Sequence, residues 1–184
     1  MGHRGVHGGR GVLAVLLAIV GLTGCGRGLE AGGLGVVPDA ETPRPSAGSA
    51  AQATVAALQG VLAGGGFGFA PAIQSFQPAQ PAALLTIPRS AYQVRLADPA
   101  GGVVLIYEFA TPEAAATGGQ ALADYLSSGP GKINFAGDAV FHVAQMGSTV
   151  VMTWYSASQS TDPDAARGAF DLVSTVGAEV PVLP

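Results

Sequence analysis

The chain has 184 residues, of which 11% are charged, and its formal net charge is −4 at pH 7. A weakly acidic chain lacks the basic surface that attracts nucleic acids or anionic lipids, so we expect no nucleic-acid partner. Its single cysteine excludes a disulfide framework, and the fold must therefore be stabilised by its own hydrophobic core.

Residues 1–24 have the pattern of a secretory signal peptide. Arg4 and Arg10 form a basic start without acidic residues, an apolar run follows at 12–22, and small residues end it. The run is shorter than the roughly 20 apolar residues that a membrane-spanning helix needs. Removal of residues 1–24 lowers the formal charge from −4 to −6, because two of the eight basic residues and no acidic residue lie there.

The apolar run closes on Leu22-Thr23-Gly24-Cys25. These four residues resemble the lipobox of bacterial lipoproteins, which has a leucine, two small or hydroxyl-bearing residues and an obligatory cysteine. The resemblance covers the first 25 positions only. It implies diacylglycerol attachment to the Cys25 sulfur, cleavage between Gly24 and Cys25, and often acylation, for example with palmitate, of the new amino terminus.

A lipid on Cys25 implies a protein held at the cell membrane, outside the cytoplasm, on the periplasmic or the external face. Two or three acyl chains anchor a protein stably, since each buried CH2 contributes roughly 0.8 kcal/mol. The alternative is an ordinary free cysteine behind a conventionally cleaved signal peptide.

Residues 25–48 are rich in glycine and proline and show no apolar periodicity. Such a composition buries too little apolar surface to fold, so we predict a tether between the lipid and the folded part. The remaining residues, 49–184, are expected to form one domain.

The domain is predicted to begin with a helix at about 50–63. Ser49 and Gln52 have the spacing of a capping box. Val55, Leu58 and Leu62 then fall on one helical face, and three glycines end the run.

The segment Phe67–Pro88 alternates the aromatic residues Phe67, Phe69 and Phe76 with glycine and proline. A connection this long inside a compact domain is either functional or loosely ordered. One interpretation is an aromatic lid or binding surface. The other, which we favour, is that the rings cover one edge of the core.

The rest of the chain predicts two strand pairs, each followed by a helix. Both helices begin where a capping side chain precedes a proline, at Thr111-Pro112 and Asp162-Pro163. We therefore predict an α+β fold of ββαββα order, with a single antiparallel sheet of about four strands and helices mainly on one face. The predicted strands cover about 92–96, 103–109, 140–145 and 149–155.

The two ββα halves suggest an internal duplication. Apolar strands at 103–107 and 150–155 are followed by the similar helix starts Thr111-Pro112-Glu113 and Asp162-Pro163-Asp164. Proline is favoured in the first turn of any helix, so convergence explains the similarity equally well.

The sequence predicts no catalytic constellation, no metal site and no cofactor. His142 is the one histidine after the signal peptide, and a single histidine without cysteine partners does not make a usual zinc site. No Gly-x-Ser-x-Gly motif of a serine hydrolase is present. If the protein is a small enzyme with an unfamiliar site, His142 and Glu108 are the candidate residues for it.

We therefore expect a membrane-anchored binding or accessory module of the cell envelope, with an envelope protein or a small ligand as partner. A small cell-envelope enzyme and a structural envelope protein are the alternatives. An open sheet face and the segment Phe67–Pro88 would provide the interaction surface. Its candidate residues are Phe67, Phe69, Phe76, Arg95 and Trp154.

Overall fold

A computed structural model describes residues 48–73, 78–96 and 102–183. The expected signal peptide 1–24, the lipid site at Cys25 and residues 26–47 of the tether lie outside the described residues. The described elements, in chain order, are α1 (Ser49–Gly64), β1 (Gly68–Pro71), a 3-10 turn (Ala82–Leu84), β2 (Arg89–Arg95), β3 (Val103–Glu108), α2 (Pro112–Ser127), α3 (Gly129–Lys132), β4 (Val140–Met146), β5 (Thr149–Tyr155), α4 (Pro163–Val173) and β6 (Ala178–Glu179).

The described strands form a single antiparallel sheet in the order β1-β2-β3-β5-β4-β6. The predicted α+β class and the single antiparallel sheet are confirmed. The sheet has six strands instead of about four, because β1 and β6 add a short strand at each edge. The four predicted strands occupy its centre.

The sheet is covered on both faces, so the prediction of helices mainly on one face is wrong. Along β3, Val104 and Ile106 belong to one core cluster, whereas Leu105 and Tyr107 belong to the other. Helices α1 and α4 pack over the first cluster, and α2 packs over the second. Each of these four β3 side chains is at most 1% exposed, and a strand buried on both sides needs a covering layer on each side.

The placement of α2 and α4 also argues against a duplicated ββα unit. Duplicated units sharing one sheet would place both helices on the same face, but these two lie on opposite faces. Each helix has its own local start signal. The side chains of Thr111 and Asp162 accept hydrogen bonds from the N–H groups of Ala114 and Ala165, at 3.2 and 3.0 Å. Convergent helix initiation is therefore the better explanation.

The two ends of the sheet differ in what they hold. At one end, the N–H of Gly48 donates a hydrogen bond of 2.8 Å to Glu108 Oε2, and Glu108 lies opposite Thr149. We call this the Gly48 end. At the other end, β3 begins at Val103 and β5 finishes at Tyr155. The length of β3 separates the two ends by about 17 Å.

Within the described ranges, no helix combines the length and the hydropathy needed to cross a bilayer.

Candidate functional site

A cleft lies between α4 and the final residues of β5, at the end of the sheet opposite Gly48. It encloses about 420 Å³ of space that is partly open to solvent. Its apolar part is formed by Val94 of β2 together with Ala166, Ala169 and Val173 of α4. Alternation along β5 directs Thr153 to this face of the sheet, where α4 covers it. We call this space the cleft, and this end of the sheet the cleft end.

The polar rim of the cleft is the loop that follows β5. Ser156, Gln159 and Ser160 line it, and the loop is fastened to the turn before β4 by Asp138. Asp138 Oδ1 accepts hydrogen bonds from the hydroxyls of Ser156 (2.6 Å) and Ser158 (2.7 Å), and Oδ2 accepts one from the Ser158 N–H (2.9 Å). These donors lower the pKa of Asp138 to about 2. The carboxylate therefore stays ionised and holds the rim in place at neutral pH.

Three hydroxyl groups of the cleft, those of Thr153, Ser156 and Ser160, donate their hydrogens to acceptors within the protein. Thr153 Oγ1 donates to the carbonyl of Val103 at 2.9 Å, and Ser160 Oγ donates to the carbonyl of Ser156 at 2.8 Å. Ser156 Oγ donates to Asp138 and also accepts from the N–H of Gln159 at 3.2 Å. A hydroxyl has one hydrogen and two lone pairs, so Thr153 and Ser160 keep acceptor capacity.

Two aromatic rings form one side of the cleft. Tyr155 and Phe170 have ring centroids 6.1 Å apart and are tilted by 43°. The guanidinium of Arg167 lies 5.6 Å from the Tyr155 centroid, and its Nε is 3.0 Å from Asp171 Oδ1 on the exposed side of α4. The two rings thus lie between the apolar part of the cleft, which we call its floor, and a rim where the charge of Arg167 is offset by Asp171.

His142 lies behind this aromatic wall. Its ring is 6.4 Å from the Phe170 ring in an edge-on arrangement, and the residue is 6% exposed. Among the described residues, Nε2 of His142 has no hydrogen-bond partner. Burial lowers the pKa of His142, and the charge of Glu179 opposes that shift in part. The imidazole is therefore held in its neutral form.

The structure places the predicted aromatic residues on different faces. Phe67 and Phe69 pack against the cluster beneath α1 and α4, and Phe69 stacks on Tyr92 with centroids 5.1 Å apart. Trp154 packs against the opposite cluster, edge-on to Phe135 at 5.2 Å, although part of the residue lines the cleft. Of the predicted candidates that the structure describes, Trp154 alone lines this cleft.

The other two candidates lie elsewhere. Arg95 is exposed at the end of β2, opposite Gly68 of the edge strand β1. Phe76 lies outside the described residues. The role of these residues and of the phenylalanines as one interaction surface stays a prediction.

The described part of the Phe67–Pro88 segment covers the core. Leu84 is 1% exposed within the cluster that packs against α2. Gln80 Oε1 accepts hydrogen bonds from Arg89 Nη1 (2.8 Å) and from the Tyr107 hydroxyl (3.3 Å), which fastens the segment to β2 and β3. These contacts agree with the interpretation that the segment closes an edge of the core.

His142 and Glu108 do not form a catalytic pair. Glu108 lies opposite Thr149, whereas His142 lies opposite Thr153, so the two are four residues apart along β5, or roughly 13 Å. The Glu108 carboxylate instead accepts the Gly48 N–H before α1. Among residues 48–73, 78–96 and 102–183, no three His, Cys, Asp or Glu side chains are grouped so as to hold a metal ion.

Sequence reasoning missed the cleft. Its polar residues lie in the loop between β5 and α4, which carries turn-forming residues and no recognisable motif. The only sequence feature that pointed to the rim was the cluster of serines at 156, 158 and 160. The contact with Asp138 could not be predicted, because it joins residues that are 18 to 20 positions apart in the sequence.

Comparison with protein-family models, with curated proteins and with solved structures finds no match for this chain.

Proposed function

We propose that this protein is a lipid-anchored binding module of the bacterial cell envelope, held outside the cytoplasm by Cys25 and binding its partner at the cleft end. The lipobox-like Leu22-Thr23-Gly24-Cys25 supports the anchor. The cleft, with its fastened rim and apolar floor, supports the binding role. This cleft replaces the open sheet face expected from the sequence, since both faces are covered.

One observation carries the proposal most directly. The chain enters the folded domain at Gly48, which is bound by Glu108, and the cleft lies at the other end of the sheet. The segment that would join the lipid to the domain therefore enters the domain at the end of the sheet opposite the cleft. A membrane-bound module whose cleft lies away from its attachment point keeps that cleft accessible to partners in the surrounding space.

The anchor is tested by labelling cells with a clickable fatty acid and separating membrane from soluble fractions. The native chain is expected to incorporate the label and to remain with the membrane. The Cys25→Ala variant is expected to lose the label and membrane retention, because no other cysteine can carry a thioether lipid. Persistent labelling of the variant would contradict the anchor.

A protein partner is a second candidate, because three large aliphatic side chains in the second half of the chain are exposed. Ile133 is 80% exposed, Val140 50% and Leu183 67%. Val140 lies opposite Tyr155 at the cleft end. Exposed aliphatic groups of this size favour protein contacts.

The two kinds of partner are separated by crosslinking in native membranes. A docked protein is expected to give a crosslinked species that disappears in the double variant Ile133→Ser, Val140→Ser. The control is Ile73→Ser, which changes a side chain that is 94% exposed but follows β1 on the Gly48 side. Loss of the species in both variants, or in neither, would argue against docking at the cleft end.

A further inference from the structure

We infer that the cleft binds a small, uncharged, hydroxyl-bearing group, of the kind found on a sugar or a polyol. The inference rests on the proposed binding role and specifies its ligand. It follows from the charge, the hydrogen-bonding state and the shape of the cleft.

The first argument is charge. No described residue that lines the cleft is charged. Asp138, whose carboxylate binds Ser156 of the rim, has a pKa of about 2 and stays anionic at neutral pH. The guanidinium of Arg167, which lies beside the ring of Tyr155, is paired with Asp171. An anionic ligand would lose hydration without gaining a counter-charge, so the cleft selects against carboxylates and phosphates.

The second argument is the direction of the hydrogen bonds. The hydroxyl hydrogens of Thr153, Ser156 and Ser160 all point to acceptors within the protein. What Thr153 and Ser160 can still offer a ligand is oxygen lone pairs. A ligand that donates hydrogen bonds satisfies them, whereas an acceptor-only ligand leaves them unpaired. Alcohol groups donate while remaining neutral.

The third argument is shape. The enclosed part of the cleft has room for an ordered water or one small functional group, and the remaining space is open. The apolar surfaces of Ala166, Ala169 and Phe170 face this space from α4. A sugar presents hydroxyl groups at its edge and C–H groups on its face, so one end of it can enter while the ring rests on Phe170 or Tyr155.

The test is saturation-transfer NMR on the full-length lipoprotein in detergent, with glucose, N-acetylglucosamine and glycerol as neutral probes. Glucuronate serves as a charged probe of similar shape. We expect saturation transfer to at least one neutral sugar and weaker transfer, by about tenfold or more in affinity, to glucuronate.

Two variants localise the binding. Thr153→Val and Ser160→Ala each remove one acceptor oxygen from the cleft and are expected to weaken sugar binding about three- to tenfold. The matched control is Thr117→Val, which removes a hydroxyl bonded to Glu113 on the exposed side of α2. Circular dichroism establishes that each variant is folded. If Thr153→Val does not fold, Ser160→Ala alone tests whether the sugar binds in the cleft.

Each outcome of this experiment either supports or overturns the inference that the cleft binds a neutral, hydroxyl-bearing group. Neutral-sugar binding that falls in the cleft variants and persists in Thr117→Val supports the inference. Glucuronate binding as tightly as glucose, binding unchanged in the cleft variants, or transfer to none of the neutral probes overturns it. Failure here leaves the fatty-acid labelling result intact, so the ligand class and the anchored module are tested separately.

Discussion

The Gly48 end and the cleft end of the same sheet differ in how their polar groups are paired. At the Gly48 end, polar groups are paired with one another inside the structure. Thr54 Oγ1 and Thr149 Oγ1 are 2.7 Å apart, and both side chains are at most 1% exposed. At the cleft end, residues that carry hydroxyl groups line a space that is partly open to solvent. This difference agrees with the proposal of a module that is tethered at the Gly48 end and binds at the cleft end.

The same comparison shows how each end is held together. The Gly48 end joins a helix to the sheet, since Thr54 belongs to α1 and Thr149 begins β5. The cleft end joins loop to loop through the exposed Asp138. Buried hydrogen bonds contribute more to global stability than exposed ones, because water does not replace a lost buried partner. Substitutions at the two ends should therefore differ in size.

The largest effect is expected at the Gly48 end. Thr149→Val removes the hydroxyl that contacts Thr54, while Thr54 Oγ1 can still donate to the carbonyl of Ala50 at 3.1 Å, and we expect a loss of about 1 kcal/mol in the free energy of unfolding. Thr54→Val should behave in the same way. The double variant should be more stable than the sum of the two losses predicts, because it removes both polar groups. Urea unfolding measures the stability of the native chain, the two single variants and the double variant. Strictly additive losses would contradict a direct contact between the two hydroxyls.

A smaller, pH-dependent effect is expected from His142. Burial lowers its pKa below the usual 6.5, so the folded state binds a proton less readily than the unfolded state. The contribution of the neutral imidazole is therefore complete above pH 6.5 and is lost as the pH falls through the folded-state pKa. Between pH 7 and pH 5 the native domain should lose thermal stability, and His142→Leu should show a flatter profile.

His142 is the one histidine after residue 24, so its ring signals in an NMR titration of the mature protein need no further assignment. A titration midpoint at or above 6.5 would contradict the burial of a neutral imidazole.

The smallest global effect is expected for Asp138→Asn at the cleft end. The amide nitrogen that replaces one carboxylate oxygen cannot accept a hydrogen bond, so the loop 156–160 loses part of its attachment. We expect faster amide hydrogen exchange at Ser158 and Gln159 with little change in the unfolding midpoint at pH 7. Unchanged exchange at both amides would show that other contacts hold the rim.

The native carboxylate also gives a pH signature. Its folded-state pKa of about 2 lies below the usual 3.8, so its contribution is present above pH 4 and disappears as the pH falls toward 2. Asn at position 138 should remove this part of the acid sensitivity.

The central strands and helix starts were predictable because their signals are local. Alternation in Tyr92–Leu96 and the caps at Thr111 and Asp162 are read from a few adjacent residues. The face occupied by each helix was not predictable, because it depends on the path of the chain between elements. The apolar run of β3 indicated a central strand, and its burial on both sides implied cover on both faces. The prediction of an open sheet face did not take this burial into account.

The site was less predictable than the fold. The aromatic residues of Phe67–Pro88 stood out in the sequence, yet the described ones pack into the core. The cleft depends instead on Thr153, Ser160 and Phe170, whose residue types are common and whose proximity arises only when α4 folds back over β5. In particular, the Thr153 hydroxyl keeps only lone pairs for a ligand because it donates its hydrogen to the carbonyl of Val103, which is 50 residues away in the sequence.

The most direct test of the account is the distance of each end from the membrane in the lipid-anchored protein. Ser49→Cys places a thiol at the Gly48 end, and Ala157→Cys places one in the exposed loop of the cleft end. Once Cys25 carries lipid, each new thiol is the single site for a fluorophore. Energy transfer to headgroup-labelled lipid in vesicles should be stronger from position 49 than from position 157, and Cys25→Ala should abolish both. Equal transfer, or stronger transfer from position 157, would contradict a cleft presented away from the anchor.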